Sequence, residues 1–379
     1  MKIGIINMQY STHNYGALLQ AAALEHVIKN ICTEAVVEHI NIRAPWQNSD
    51  KTKQRVSYSL RGLNLIKNLV HNWPAIPQKG NFEVFSDFRS YYITLTKKSY
   101  ITDADFVSEK WDYDVVIVGS DQVFRIHYIR HDIDIYFLRF LPVGCRRVAY
   151  SASFGVNFWE GKDDANLTKK VGEALRQFHA VSVREDSGVD ICREEFSVDA
   201  EHVLDPTLLI GREYFDRIID DHDMLLSFPQ WSVHIISSDA NLVGEIPRLA
   251  KRLNRIPKNI YYHRIGRWPF RPLASFSSVP EWLALIRGTS EVVLTDSYHC
   301  VCFCILFKKE FLVFLSKDKG TGRMYSLLKL FSLEERICTD ESLFEKVALG
   351  QKSICYDAVD EVLVRERKKS QAFLKESLC

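Results

Sequence analysis

Short apolar runs rich in isoleucine and valine recur through the first half of the chain, at residues 2–7, 35–40, 114–118, 147–151, 180–183 and 201–204. Runs of this length without polar alternation mark strands buried on both faces, and the helically spaced stretches between them supply parallel crossovers. The first of these helices, over residues 14–30, places Ala17, Ala21, Leu24 and Ile28 on one face, with Asn14 as its cap. The pattern then restarts, with strands at 232–237, 259–262, 291–295 and 310–315 and helices at 241–253, 279–287, 298–307 and 324–331. An α/β chain is therefore expected, in which two Rossmann-like domains, residues 1–207 and 208–379, face a cleft. The division falls where Asp205-Pro206 forces an extended backbone and Gly211 loosens the chain. A helix from Tyr356 closes the second domain. Between residues 43 and 100 the periodicity is poor, with Trp46, Trp73, Pro74 and Pro77 among basic residues, which reads as an irregular insertion.

Composition narrows the function classes. A chain of 379 residues with 46% hydrophobic positions exceeds one core and agrees with two domains. Lys and Arg total 49 against 48 Asp and Glu, so no basic field is available to bind nucleic acid. Nine cysteines, odd in number and without a CxxC pair, read as free thiols of a cytoplasmic protein. Cys300, Cys302 and Cys304 cluster in sequence, but residues two apart on a helix point to opposite sides, so they read as buried small hydrophobes and no metal is expected. The apolar run at the N-terminus is too short for a signal peptide, and no window nears the ~20 apolar residues of a membrane span. Arg365, Arg367, Lys368 and Lys369 form a basic cluster that suits peripheral contact with the inner face of an anionic membrane, or simply a solvated face.

The candidate chemistry lies at strand ends, where open α/β sheets bind ligands. The segment EVVLTDSYHCVCFCILF runs a buried strand into an apolar helix, with Ser297, Tyr298 and His299 at the junction. Amides at a helix N-terminus attract anions, and a histidine there can exchange a proton near neutral pH. Gly119-Ser120-Asp121-Gln122 follows the 114–118 strand, where glycine permits a sharp turn and Ser and Asp can cap or reach a ligand hydroxyl. Just beyond, Arg125, His127, Arg130 and His131 crowd together, suited to an anionic substrate. Ser153 lies in the small-residue loop after the next strand; Arg184 and Glu185 end the one after it, where the arginine can hold phosphate or carboxylate and the glutamate can orient it. Asp205 ends the last strand of this half, facing the cleft or shaping the crossover. The chain has no GxGxxG fingerprint, no P-loop lysine and no GxSxG elbow, which disfavours dinucleotide, nucleotide-phosphate and serine-hydrolase chemistry.

Six segments occur together in a familiar order: His13-Asn14-Tyr15-Gly16-Ala17-Leu18-Leu19-Gln20, GSDQVF at 119–124, SASFG at 151–155, SVRE at 182–185, VLDPTLL at 203–209 and TDSYH at 295–299. In them the chain resembles the polysaccharide pyruvyl transferase family over nearly its whole length. The resemblance implies a glycosyltransferase-B-like enzyme that moves pyruvate from phosphoenolpyruvate, as a ketal, onto two hydroxyls of a sugar. That sugar belongs to a cell-surface polysaccharide or its lipid-linked precursor, and no cofactor is implied beyond the donor. It places His299 in the phosphoenolpyruvate site, with Arg184 as the anion holder; His299 is expected to be catalytic, with Asp121 beside it as a partner for an acceptor hydroxyl. Asn14, Tyr15, Gly16, Gly119, Ser120, Gln122, Ser153, Glu185, Asp205 and Ser297 complete the substrate site. Some branches of the family read Arg-Leu-His where this chain has Ser297-Tyr298-His299, so one anion-binding arginine is missing and Arg323 is the candidate substitute. Cys300 replaces a common glycine, Phe124 a common tryptophan and Glu310 a common proline. The same fold also suits a sugar-nucleotide-dependent glycosyltransferase or a catalytically silent glycan-binding relative.

Overall fold

The computed structural model describes residues 1–42, 82–101, 103–130, 132–222, 226–237, 243–261, 263–265, 273–315 and 321–378. In the first half β1 (Lys2–Ile6), β2 (Val36–Ile42), β3 (Leu95–Tyr100), β4 (Val115–Val118), β5 (Arg146–Ala152), β6 (Ala180–Val183) and β7 (Glu201–His202) build one sheet in the order β3-β2-β1-β4-β5-β6-β7. Every pair in it is parallel. In the second half β8 (Trp231–His234) and β9 (Pro257–Asn259) are followed by an antiparallel ribbon of β10 (His263–Ile265) and β11 (Leu273–Ser275), then by β12 (Val292–Thr295) and β13 (Phe311–Val313). Here the order is β13-β12-β8-β9, again all parallel. The chain is thus a mixed α/β, glycosyltransferase-B-like pair of Rossmann-like sheets, and the carboxyl ends of both sheets supply the residues of one cleft.

Local chemistry sets where strands stop. β8 ends at His234 because the next free amides, Ile236 and Ser237, donate to the Asp296 carboxylate at 2.8 and 2.7 Å instead of continuing the sheet. The strand expected at 259–262 lies at Pro257–Asn259, since Asn259 Oδ1 accepts from the Tyr261 amide and turns the chain. β7 is cut to two residues, and the Leu204 amide is satisfied by Ser370 Oγ.

Two expectations from the pattern are corrected. The stretch 83–100 is regular: Glu83–Tyr92 is a helix and β3 is the edge strand of the large sheet. Its period was obscured because an edge strand carries exposed lysines, Lys97 and Lys98, in place of an apolar run. Residues 43–81 of the expected insertion, with Trp46, Trp73, Pro74 and Pro77, lie outside the described residues. The Tyr15–Ile31 helix, capped by Asn14 Oδ1 on the Ala17 amide at 3.1 Å, is buried on more than the one face expected. Leu24, Val27 and Ile28 pack on the first sheet, while Leu18, Ala21 and Ala22 pack with Trp282, Cys300 and Phe303 of the second half. A helix held between two domains becomes apolar nearly all round.

The two halves share a continuous core. The Tyr15 ring stacks on Trp282 with centroids 4.7 Å apart and planes 4° apart, and its hydroxyl donates to the Ser277 carbonyl at 2.8 Å. The C-terminal helix, Tyr356–Leu378, touches both: Tyr356 donates to the Cys304 carbonyl, while Phe373, Leu374 and Leu378 pack beneath the first sheet. Of its basic cluster, Arg367 is tied to the carbonyl of Leu208, at the expected division, and Lys369 to that of His202 in the first half. No helix among the described residues is long and apolar enough to cross a membrane.

A buried carboxylate fastens the first helix to the sheet edge. Glu25 accepts from Lys29 Nζ, the Thr94 amide and the Thr94 hydroxyl, and lies 3.3 Å from His39 Nε2. Burial alone would raise its pKa, yet His39, Lys29 and Thr94 hold it down from 4.5 to about 2. A depressed carboxylate stabilises fully above its ordinary value, and that contribution fades as the pH falls toward 2. At ~1.4 kcal/mol per pH unit it is worth on the order of 3 kcal/mol at neutral pH. Glu25→Gln is expected to lower stability at pH 7 and to flatten the loss between pH 4.5 and 2, read by urea denaturation across that range. Parallel curves for the two proteins would refute it.

Candidate active site

Asp205 is the centre of the site. It caps the short Pro206–Ile210 helix, with its Oδ1 accepting from the Thr207 amide and hydroxyl at 3.0 and 2.7 Å. Its Oδ2 accepts from Ser120 Oγ at 2.7 Å and from Arg184 Nη1 at 3.2 Å, and lies 3.4 Å from His299 Nε2 across the domain boundary. Burial alone would raise the Asp205 pKa, but His299 and Arg184 hold it well below the carboxylate range. It is therefore an anion at every working pH.

Arg184 continues the chain of charges. Its Nη2 donates to Asp121 Oδ1 at 3.1 Å, and the guanidinium lies over the Tyr298 ring, 4.4 Å from the centroid. With both terminal nitrogens on carboxylates and 2% exposure, Arg184 does not line the cavity, so the residue matched to an anion holder is occupied within the protein. Tyr298, standing where the Arg-Leu-His branches have leucine, packs under that guanidinium.

The loop after β4 is strained into place. Asp121 has φ 83°, a left-handed value that is unusual outside glycine, and its carbonyl is pinned by the amides of Val123 and Ser153 at 2.7 and 2.9 Å. At Gly119 the turn packs closely on the first helix, since a Cβ there would sit 2.9 Å from Leu24 Cδ2. Burial opposes the Asp121 charge, but Arg184, His299 and Arg323 outweigh it and lower its pKa. Glu185 behaves oppositely: buried, it is pushed up despite Arg184 and despite bonds from Ser153 Oγ and the amides of Phe154 and Gly155. Ser153 and Glu185 thus shape the loop after β5 and do not line the cavity.

In front of this charge chain lies a cavity of about 270 Å³, open to both domains. Asn14, Tyr15 and Gly16 line it from the start of the first helix, Ser297 from the N-cap of the Tyr298–Leu306 helix, and Arg323 from the first turn of the Gly322–Leu330 helix. Three helix N-termini therefore converge on one space, and none carries an acidic residue in its first turn. Arg323 Nη1 is shielded from solvent and has no hydrogen-bond partner among the described residues. Burial, then the neighbouring Arg184, lowers the Arg323 pKa, so an anion entering the cavity would relieve both penalties. Asp121 and Gln122 complete the polar wall, with Gln122 Oε1 accepting from Arg125 Nη1 at 2.9 Å.

Among the described residues of the basic stretch, 125–130, only Tyr128 reaches the cavity. Arg125 is paired with Glu160 at 3.3 Å, His127 and Arg130 are exposed, and His131 lies outside the described residues. Three of the departures from the common pattern fall on structure: Phe124 stacks on Phe137 in the core, Cys300 is buried, and Glu310 pairs with buried Arg336 at 2.8 Å. Sequence reasoning missed His234, Tyr261 and Trp282, which line the far wall. Only His234 carried a signal, as a polar residue inside the strand expected at 232–237, which the structure ends at His234.

His299 does not line the cavity as it stands but lies directly behind Gly16, where a Cβ would fall 2.1 Å from its Nδ1. Gly16→Ala must therefore displace His299. An accommodated Gly→Ala change in a helix stabilises by about 0.4–1 kcal/mol, whereas overpacking of this kind costs about 1–3 kcal/mol. Chemical denaturation should show the loss, and a gain in stability would refute the contact.

No curated protein shows significant sequence similarity to the chain. Among solved structures it is similar to the UDP complex of MnaA from S. aureus, at 10% identity over 92% of this chain and 90% of that one, with a TM-score of 0.46. It is likewise similar to the spinosyn forosaminyltransferase SpnP, at 12% identity over 98% and 94%, TM-score 0.43. The UDP-GlcNAc 2-epimerase of Neisseria meningitidis bound to UDP-GlcNAc matches at 9% identity over 96% and 100%, TM-score 0.41. Matches this distant do not decide what the chain binds. The family model for polysaccharide pyruvyl transferase, however, matches residues 14–318, from the cap of the first helix to beyond β13, and so takes in most of both sheets and the charge chain between them. The chain belongs to the polysaccharide pyruvyl transferase family.

Proposed function

We propose that the protein transfers pyruvate from phosphoenolpyruvate, as a ketal, onto two hydroxyls of a sugar in a cell-surface polysaccharide or its lipid-linked precursor. The observation that carries this reading is the unpartnered Arg323 Nη1 in a cavity ringed by three helix N-termini free of acid. Such a space favours a small ligand with more than one negative charge, and the donor brings both a carboxylate and a phosphate.

The chemistry divides among the residues in hand. A proton delivered to the methylene carbon leaves the adjacent carbon oxocarbenium-like; a sugar hydroxyl attacks it and gives up its proton. The carbon–oxygen bond to phosphate then breaks, phosphate departs carrying the first hydroxyl's proton, and a second hydroxyl of the same sugar closes the ring and returns its proton to the group that protonated the methylene carbon. His299, held against anionic Asp205, supplies the first proton. Asp121, held ionised and lining the cavity, accepts a hydrogen bond from the attacking hydroxyl. Arg184 fixes Asp121 and Asp205 relative to each other and acts as a positioning residue. Arg323 takes the place of the arginine absent before Tyr298. The scheme calls on no metal, and the proposal includes a cytoplasmic location, in solution or peripheral to the membrane.

Isothermal titration of the protein with phosphoenolpyruvate tests the donor. Arg323→Ala is expected to weaken binding about 10–100-fold, the worth of a charge-assisted bond. Binding of UDP-GlcNAc without phosphoenolpyruvate binding would move the protein to a sugar-nucleotide-dependent glycosyltransferase.

His299→Ala should lower phosphoenolpyruvate-dependent phosphate release, measured with a panel of glycan acceptors, by about 10²–10⁴-fold. Donor affinity should change much less. Unchanged turnover would remove His299 from the mechanism.

A further inference from the structure

The segment after β4 brings a large aromatic ring to the cavity and leaves it uncovered. Tyr15 and Trp282 line the same cavity, but they stack on each other and are buried, so core packing accounts for them. Tyr128 lines it while 40% exposed, and core packing does not account for a ring of this size there. Its neighbours in the wall, Asp121 and Gln122, come from the same segment and are polar. The Tyr128 phenol also stands close enough to Arg323 to act on its charge, so the ring borders the anion-seeking guanidinium.

The exposed ring is nevertheless held in place. Phe124, Ile126 and Ile129 are buried around it, which fixes the backbone that presents it. The Tyr128 amide donates to the Arg125 carbonyl at 2.9 Å, and the His127 amide donates to Glu160 Oε2 at 2.9 Å. The Arg125 guanidinium lies over the ring, 4.6 Å from its centroid, and is itself anchored on Gln122 Oε1 at 2.9 Å and Glu160 Oε1 at 3.3 Å. A side chain backed in this way gives up little freedom when a ligand packs on it. The negative face of an aromatic ring repels anions and suits a ligand with an apolar face and a polar edge. A pyranose has that form, with C–H bonds on its faces and hydroxyls around its rim.

We infer that Tyr128 is the stacking platform for the acceptor: one pyranose ring of the glycan packs its C–H face on the ring face opposite Arg125, with its rim hydroxyls toward Asp121. The inference rests on the reading above that the acceptor is a sugar, and it names the part of the cavity that takes it. Arg323 and Tyr128 then divide the space, the guanidinium for the charged donor and the ring for the neutral acceptor. A pyranose with an axial hydroxyl on the packed face is disfavoured, so the ring also contributes to the choice of sugar.

Carbon-13 NMR of the tyrosine-labelled protein tests the platform directly, with Tyr128→Phe used to assign the signal. The probes are methyl β-D-glucopyranoside, methyl β-D-galactopyranoside and uridine. At least one glycoside should shift the Tyr128 signal and receive saturation transfer on its ring C–H protons. That transfer should persist in Tyr128→Phe, which keeps the ring, and vanish in Tyr128→Ala. A Tyr128 signal unmoved by both glycosides, or transfer that survives in Tyr128→Ala, would overturn the inference. A response to uridine alone would give the ring to a nucleotide base and overturn it as well. In the phosphate-release assay with glycan acceptors, Tyr128→Ala should raise the acceptor KM about 3–10-fold and change kcat less; an unchanged KM would contradict the platform. Calorimetry separates the two readings: Tyr128→Ala should bind phosphoenolpyruvate within about threefold of wild type, and a loss of about tenfold or more would move Tyr128 to the donor side. Failure of the wild type to bind phosphoenolpyruvate would overturn the donor reading, and the glycoside spectra would still decide the platform.

Discussion

The Asp205 carboxylate must be neutralised where almost no water reaches it, and that requirement organises both domains. It sits at the end of the last strand of the first sheet, so Ser120, Thr207 and Arg184 can be recruited from the same half. The remaining partner, the His299 imidazole, comes from the second half. Removing one member of such a buried set costs about 3–5 kcal/mol, because the charge left behind has no substitute partner. The domain boundary is therefore tied at the place where the chemistry is proposed. The Tyr15–Trp282 stack and the C-terminal helix tie it again at a distance.

This arrangement changes the role of Arg184. An arginine at a strand end has the same local sequence whether it faces a ligand or a carboxylate, and only the third dimension shows Asp121 and Asp205 on either side of it. The anion-seeking charge passes instead to Arg323, which no strand-end argument would reach, because it opens a helix after a glycine. The two arginines oppose each other, and that opposition leaves Arg323 short of a counter-charge.

Much of the fold could be read from the chain. Strands buried on both faces, such as β1, β4 and β12, have unbroken apolar runs, and the Asn14 cap announced the first helix. The edge strand β3 could not be read this way, since its outward lysines protect it from pairing and erase the pattern. The single apolar face expected for the first helix proved too narrow, because the partner on its other side comes from more than two hundred residues away. At the site, His299, Asp121 and Asp205 were legible as polar residues at strand ends. His234 was not singled out, because it falls inside the strand expected at 232–237, and only the structure ends that strand at His234. Where the departures from the common family pattern fall on Phe124, Cys300 and Glu310, they are answered by core packing or by a buried ion pair, and the cavity wall is unaffected.

The account turns on what fills the space between the three helix N-termini. A crystal structure of the protein grown with phosphoenolpyruvate tests it most directly. The account predicts the ligand in this cavity, with a phosphate or carboxylate oxygen within hydrogen-bond distance of Arg323 Nη1 and its methylene carbon turned toward His299. Phosphoenolpyruvate bound elsewhere, or an empty cavity at saturating ligand with Arg323 turned to a protein carboxylate, would contradict it.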